Sequence, residues 1–287
     1  VNALAMTAST HPDQRLIEQL NGDVKDKTPV FCIHPVTGRV TGYQKLAAAL
    51  EGQRTVLGVQ SKSMVVPNQF DGELCQMAGC YYASIKERQP AGPYTLIGWS
   101  LGGALCLDVA RRLEKNGDVV EGIYLLDCYV PGTEVADDQW SSPSSKIKLL
   151  THLELLLGDL SQTQKEGCIE AFNRHKPHQW PRVFEDWLSR YAFERHIAEN
   201  ARQMLYSWAV EQHLRVLCDG YKLPGISSPI HAWWAGDPQG RSVLLTELFG
   251  KTNALSSSQT SATDHLGIVQ DVTTIAQLKE RLILPAI

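Results

Sequence analysis

The chain has 287 residues, of which 43% are hydrophobic and 20% charged, with a formal net charge of −4. This length and apolar content suffice for one large domain, or one domain with an insertion. Neither the basic surface of a nucleic-acid-binding protein nor a polybasic membrane patch is present, and no apolar run could span a bilayer. Residues 1–14 lack the pattern of a secretory signal, and a start at Val1 rather than Met is expected for a segment of a longer protein.

Seven cysteines are spread over the chain, an odd number, and no two of them form a CxxC pair. Most lie inside apolar strand or helix patterns. This usage predicts reduced, mostly buried thiols in a cytoplasmic protein, with no metal site. The cysteines are Cys32, Cys75, Cys80, Cys106, Cys128, Cys168 and Cys218.

Strands and helices alternate through the first half of the chain. Residues 1–27 are predicted to be a polar lead-in or linker, with one short helix at about 14–20. Period-2 and period-3.6 patterns then predict a series of elements. The strands are at 29–33, 55–59, 94–97 and 119–126, and the helices at 43–50, 71–88 and from Gly102 to about 116.

The alternation stops after Pro131 and resumes at a strand at 229–234. Between them, helical patterns at 146–157, 164–172 and 194–217 predict a lid at about 133–224. A Ser/Thr-rich stretch at 256–263 then leads to His265 and a last helix at 272–282. The fold class predicted is α/β, a mostly parallel, doubly wound sheet with a helical lid, in one domain at 28–287.

Gly98-Trp99-Ser100-Leu101-Gly102 lies between a predicted strand and a predicted helix. In that context GxSxG predicts a nucleophile elbow, a tight turn that exposes a strained serine hydroxyl. The flanking glycines are needed because the two backbones pass too close for side chains. Without the context, such a serine would be an ordinary turn residue.

A serine hydroxyl needs a base to take its proton and an acid to orient that base. Asp127 ends the strand that follows Ser100, and His265 comes before the last helix, so the order is Ser, Asp, His. Asp127 could instead be a turn former, and Asp237 is a rival acid. Six other histidines are interpreted as structural or surface groups: His34, His175, His178, His196, His213 and His231.

Two backbone N–H groups are predicted to hold the oxyanion of a tetrahedral intermediate. One belongs to Leu101, directly after the nucleophile, and the other to Val36, in the loop after an early strand. Pro35 has no N–H and is excluded as a donor. The alternative is that the Val36 loop is an ordinary strand-to-helix connection.

Three stretches together resemble the chain-terminating (type I) thioesterase domains of non-ribosomal peptide synthetases and polyketide synthases. They are Phe31 to Gly38, Gly92 to Gly103 with its Gly-Pro-Tyr and GWSLGG segments, and Leu125-Leu126-Asp127; Asp264 to Ile268 resembles their histidine motif. The resemblance covers about Pro29 to the end, and it is weakest in the lid.

The resemblance implies an α/β-hydrolase fold and a serine hydrolase with a Ser100, Asp127 and His265 triad, its oxyanion hole at Val36 and Leu101. The substrate would be an acyl or peptidyl thioester on the phosphopantetheine of an upstream carrier domain, with no cofactor bound by this domain. Ser100 would take the acyl or peptidyl group as an ester, and hydrolysis or macrocyclisation would release it. From the composition, neither a nucleic-acid partner nor a membrane span is expected.

The lid carries Trp140, Trp180, Trp187 and Trp208. These rings could line an acyl pocket, but amphipathic helices need apolar faces simply to pack. Packing is the interpretation preferred for any single ring, with some rings expected to face a cavity.

Three alternatives stay open. The first is a serine esterase that acts on free small esters. The second is a stand-alone proofreading (type II) thioesterase, against which the long insertion and the position of Asp127 argue. The third is a hydrolase fold kept as a binding module, against which the intact Ser, Asp, His order argues.

Overall fold

The computed structural model describes residues 16–129, 142–191, 193, 195–236, 247, 249 and 254–283. The strands are β1 (Ile17–Gln19), β2 (Val30–Ile33), β3 (Val56–Val59), β4 (Tyr94–Trp99), β5 (Val120–Leu126), β6 (Ile230–Ala235) and β7 (Leu255–Ser261). They form one sheet in the order β1-β3-β2-β4-β5-β6-β7. β1 runs antiparallel to β3, and every other neighbouring pair is parallel.

The helices cover both faces of this sheet and form the insertion between β5 and β6. They are α1 (Gln44–Ala49), α2 (Lys62–Val65), α3 (Leu74–Arg88), α4 (Leu101–Lys115), α5 (Pro143–Leu157), α6 (Gln162–Asn173), α7 (Trp180–Ser189), α8 (Arg195–Cys218) and α9 (Val272–Ile283). The predicted α/β architecture with a helical lid is confirmed. Among the described helices, none has the length and apolar content of a membrane span.

Residues 17–19 form a strand, so the short helix predicted at about 14–20 is wrong at these positions. Ile17 pairs with Val59 across an antiparallel ladder, and the carbonyl of Leu16 accepts the N–H of Gln60 at 2.8 Å. Pairing with the sheet edge therefore decides the structure of a segment whose local helix preference is weak.

Two further elements had no clear signal in the sequence. The Ser/Thr-rich stretch forms β7, an edge strand whose side chains alternate between partly buried and exposed. Polar side chains suit such an edge because one face of it meets water. In the lid, α7 begins at Trp180 with Pro181 in its first turn, a position where the missing N–H of proline costs nothing.

Apolar side chains form one layer on each face of the sheet. On one face α3, α4 and the second half of α8 pack against it, through residues such as Met77, Leu105 and Leu214. On the other face α1 and α9 do so, through residues such as Leu46 and Leu278. This doubly wound arrangement holds the carboxyl ends of the parallel strands at one edge.

The lid has an apolar core of its own around Trp180. The Trp180 ring is fully buried, with ring centroids 5.3 Å from Phe172 and 5.0 Å from Trp208. Its indole N–H donates to the carbonyls of Phe172 (3.2 Å) and His175 (3.0 Å). Trp187 is also buried. Packing is thus confirmed as the main role of these two rings, whereas Trp140 lies outside the described residues.

Replacing Trp180 with alanine is expected to lower the free energy of unfolding of the lid by about 3–5 kcal/mol, because it leaves a ring-sized cavity. Urea unfolding followed by far-UV circular dichroism, with hydrogen exchange resolved along the chain, measures the loss. Leu155→Ala is the control, since that side chain on α5 is 82% exposed. Equal stability of the two variants would contradict a lid core centred on Trp180.

None of the seven cysteines is in a disulfide; Cys75 and Cys80 are exposed, and the other five are buried. Burial raises the pKa of Cys168 to about 12 and also raises those of Cys32 and Cys106. These three thiols therefore stay protonated and act as small apolar groups in the core.

Candidate active site

Ser100 occupies the turn between β4 and α4. Its backbone has φ 55° and ψ −125°, a conformation that costs a non-glycine residue about 1–3 kcal/mol. The N–H of Ser100 donates to the carbonyl of Leu126 at 3.0 Å, which ties the turn to the end of β5. The side chain makes no capping hydrogen bond to α4, so the helix does not use the hydroxyl.

Three glycines let this turn form. A Cβ on Gly98 would overlap the backbone of Gly102 and Gly103, and one on Gly102 would overlap the carbonyl oxygen of Ile33. A Cβ on Gly103 would overlap the side chain of Cys128. The start of α4 thus lies directly against β4, as the GxSxG spacing predicted, and also against the end of β2 and the residue after Asp127.

Asp127 and His265 are in direct contact. The Nδ1 atom of His265 lies 2.5 Å from Oδ2 of Asp127, although 138 residues separate them. The Asp127 side chain is 1% exposed, and that of His265 is 43% exposed. A buried carboxylate that accepts from Nδ1–H leaves Nε2 of an accessible imidazole free to take a proton.

The end of β6 holds Asp127 in place. Asp127 itself has φ 42°, and its N–H donates to the carbonyl of Trp233 at 2.7 Å. Its Oδ1 accepts the N–H of Ala235 at 3.1 Å. One carboxylate oxygen is therefore fixed by backbone, which aims the other at His265.

Trp99 and Tyr43 also support the site, although the sequence analysis assigned them no role. The Trp99 indole donates to the carbonyl of His265 at 3.0 Å, and the two rings are 5.6 Å apart. The hydroxyl of Tyr43 accepts the N–H of Trp99 (2.8 Å) and donates to the carbonyl of Ile33 (2.7 Å). For Trp99, its position inside GxSxG was the sequence signal that could have indicated this supporting role; for Tyr43 the sequence carried no such signal.

Val36 and Leu101 follow the two strands at which the strand order reverses. β3 and β4 lie on opposite sides of β2, so the loop after β2 and the turn after β4 face one crevice. In the part of the chain that the structure describes, neither N–H donates a hydrogen bond. Leu101 is also the first residue of α4, where a helix favours negative charge.

The other candidates for the acid and the base either lie away from the Asp127–His265 contact or are not among the described residues. Asp237 is not among the described residues, nor is the side chain of His196. His34 and His213 are buried, His231 stacks on Tyr124, and His175 and His178 are exposed on the lid. Among described residues, His265 and Asp127 form the one histidine–carboxylate contact of this kind, and no group of acids, histidines and cysteines could hold a metal.

Burial lowers the pKa of His34 to about 4. Between pH 6.5 and 4 the unfolded chain takes up a proton at this position that the folded chain does not, so stability falls as the pH falls. We expect His34→Asn to remove roughly 3 kcal/mol of the fall in unfolding free energy between pH 7 and 4. Urea unfolding at several pH values measures it, with the exposed His152→Asn as control; an unchanged slope in His34→Asn would contradict it.

Two cavities lie beside the lid. One, of about 710 Å³, is lined by Phe70, Asp71, His178 and His213 among others. The second, of about 1080 Å³, lies against α7 and α8 and includes Arg39 from the loop after β2, with Phe184 and Tyr206 as ring-bearing residues. Neither cavity is lined by Ser100, Asp127 or His265, so neither is by itself the place where a reacting carbonyl would sit.

The family model of the thioesterase domain matches residues 28–209. An atromentin synthetase of Paxillus involutus is 36% identical over 103 residues, which are 36% of this chain and 10% of that protein. Enterobactin synthase component F of Escherichia coli (strain K12) is 36% identical over 105 residues, 37% of this chain and 8% of that protein. The chain thus spans about a tenth of the length of these relatives.

Solved structures show the same fold at low sequence identity. A four-domain nonribosomal peptide synthetase superposes with a TM-score of 0.63 at 20% identity, covering 93% of this chain and 20% of that one. The NocB thioesterase domain gives 0.57 at 16%, covering 94% and 100%. The type II thioesterase BorB gives 0.59 at 19%, covering 95% and 99%. These likenesses support the α/β-hydrolase fold for the chain.

Proposed function

Because the chain belongs to the thioesterase domain family, we propose that it is the terminal thioesterase of a modular synthase. It takes an acyl or peptidyl chain from the phosphopantetheine thiol of a carrier domain upstream in the same polypeptide. The acyl or peptidyl group is held as an ester on Ser100 and is then released by hydrolysis or macrocyclisation.

Ser100 Oγ attacks the thioester carbonyl while Nε2 of His265 takes the hydroxyl proton. The carbonyl oxygen becomes an oxyanion that accepts hydrogen bonds from the N–H groups of Val36 and Leu101. When the tetrahedral intermediate collapses, the C–S bond breaks and His265 gives its proton to the departing thiolate. Water, or a hydroxyl or amine of the chain, then attacks the ester by the same steps.

The contact between His265 and Asp127 is the observation that carries this proposal. A buried carboxylate on Nδ1 stabilises the imidazolium that forms when Ser100 loses its proton. The strained turn of Ser100, together with two N–H groups that have no acceptor among the described residues, supports the other parts of an acyl-transfer site.

The carrier partner is inferred from the relatives. The matched proteins are named as synthetases and synthases, and the chain matches a small part of each. A four-domain synthetase also contains a unit of this fold. A thioester on a carrier domain is the substrate that such a context would present.

A stand-alone type II thioesterase is the second candidate, favoured by the likeness to BorB. Asp127, after the strand next to β4, and the long helical insertion between β5 and β6 favour the terminal enzyme. An ordinary esterase would use the same three residues and need no carrier.

Intact-protein mass spectrometry after mixing with acyl- or peptidyl-pantetheine thioesters tests the proposal, with wild type beside Ser100→Ala. We expect the mass of the acyl group to appear on wild type alone. Turnover of simple esters with no acylation by any thioester would favour the esterase. Faster release of acetyl than of a long peptidyl group from a carrier domain would favour the type II enzyme.

A further inference from the structure

His34 is a buried histidine beside the predicted oxyanion loop, and the mechanism above does not use it. Its side chain is fully buried at the end of β2, and both ring nitrogens have partners. Nδ1 lies 2.6 Å from the carbonyl oxygen of Pro35, and Nε2 lies 2.5 Å from the hydroxyl of Tyr81 on α3.

These partners fix the tautomer of His34. A carbonyl oxygen can only accept, so Nδ1 carries the proton and donates it to Pro35. Nε2 is then the acceptor, and the Tyr81 hydroxyl is its donor. Tyr81 is itself fully buried, and burial raises its pKa well above the ordinary value, so that hydroxyl stays a donor.

The Pro35 carbonyl and the Val36 N–H belong to one peptide unit. This unit is planar and trans, so its carbonyl and its N–H point in opposite directions. The carbonyl is held from two sides, by His34 and by the N–H of Gly38 at 2.9 Å. Fixing the carbonyl therefore fixes the direction of the Val36 N–H, and a hydrogen bond to the carbonyl also strengthens that N–H as a donor.

We propose that His34 is a positioning residue of the oxyanion hole, which aims the Val36 N–H by holding the Pro35 carbonyl, while Tyr81 locks the imidazole. The proposal rests on the proposed function, in which Val36 is an oxyanion donor. His34 touches neither substrate nor reacting atoms in this role. It acts through one peptide plane, and its effect is confined to the tetrahedral state.

The loop has further restraints that keep the pair in place. The N–H of His34 donates to the carbonyl of Val59 at 3.1 Å, and that of Ser61 donates to the carbonyl of Gly38 at 3.0 Å. Gly38 has φ 76°, and a Cβ there would lie 3.2 Å from a methyl of Val210 on α8. Because backbone on both sides is fixed, the remaining freedom is rotation of the Pro35–Val36 peptide, which the hydrogen bond from His34 restricts together with that from Gly38.

Pre-steady-state acylation of Ser100 by an acyl-pantetheine thioester tests this role in four variants. His34→Phe removes both hydrogen bonds and is expected to slow acylation roughly a hundredfold, with KM little changed. His34→Asn keeps an N–H near the place of Nδ1 and is expected to recover most of that rate. Tyr81→Phe removes one hydroxyl and is expected to cost roughly tenfold. His231→Phe, the same change at a half-buried histidine on β6, is the matched control.

A second readout separates positioning from general damage. An aryl boronic acid forms a tetrahedral adduct on the serine and places an oxygen in the oxyanion hole. Its affinity is expected to fall across the variants in parallel with the acylation rate. A purely structural role would instead lower thermal stability without this parallel.

The outcomes for the two proposals differ. If wild type is not acylated on Ser100, the proposed function fails and the role of His34 fails with it. If wild type is acylated and folded His34→Phe reacts at the same rate, only the positioning role is overturned. If His34→Phe does not fold, Tyr81→Phe decides, and an unchanged rate there overturns it. A loss as large in His231→Phe also overturns it.

Discussion

Ser100→Ala is expected to lower kcat/KM for acyl-pantetheine thioesters by roughly 10⁶-fold, because it removes the only atom of the site that would form the covalent ester. His265→Ala is expected to cost a similar factor, since a nucleophile and its base act as a unit. Hydrolysis or cyclisation of a pantetheine thioester, followed by product chromatography, measures both. Release by Ser100→Ala at the wild-type rate would contradict the proposed mechanism.

The fold is expected to survive this change. Alanine keeps the Cβ of Ser100, and the hydroxyl makes no capping bond, so the thermal midpoint of Ser100→Ala should stay near that of wild type. Ser100→Gly is the informative companion, because glycine adopts φ 55° without strain. We expect Ser100→Gly to be as inactive as Ser100→Ala and at least as stable as wild type. If Ser100 served stability alone, Ser100→Gly would instead be less stable than wild type.

Asp127→Asn is expected to lower kcat roughly 10⁴-fold while binding of substrate changes little. Oδ1 of Asp127 accepts the N–H of Ala235, so the amide of asparagine would keep its oxygen there and turn its NH₂ toward His265. Nδ1 would then be forced to accept, Nε2 would carry the proton, and His265 could no longer take one from Ser100. Single-turnover acylation against pH measures the loss.

Two controls accompany Asp127→Asn. Asp264 is exposed beside His265 and accepts the N–H of Gly267, so Asp264→Asn changes a nearby charge without touching the imidazole. Asp237→Ala removes the rival acid of the sequence analysis. Loss of activity in Asp237→Ala with normal activity in Asp127→Asn would assign the acid to Asp237 and move the proposal toward the type II enzyme.

The elbow could be predicted because its determinants are local. Gly98, Ser100 and Gly102 stand at fixed spacing between an apolar run and a helical pattern, and the backbone follows from that spacing. The position of Asp127 could be predicted in the same way, because it directly follows the next strand. The contact of Asp127 with His265 followed from the order Ser, Asp, His and from the family resemblance, not from local pattern, because 138 residues separate the two and only the assembled sheet brings them together.

The residues that support the site could not be predicted from the local sequence pattern. Tyr43 and Tyr81 look like apolar helix positions, and their hydroxyls acquire partners only when the turn before α1 and helix α3 pack on the sheet. β7 was not predicted because a run of serines and threonines has no apolar alternation, although one side of the strand is half buried at the sheet edge. Tertiary contact, rather than propensity, decides such elements.

α8 belongs to two interiors at once. Its buried residues in the lid core around Trp180 are Ala198, Ala201, Leu205 and Ala209. Tyr206 and the buried residues from Val210 onward pack against the core of the sheet, α3 and α4. Substitutions on α5, α6 and α7 therefore change the free energy of local opening of the lid. The stability effects of substitutions at two sites with no shared neighbours are close to additive. The lid core can therefore change in sequence without disturbing the packing around Ser100.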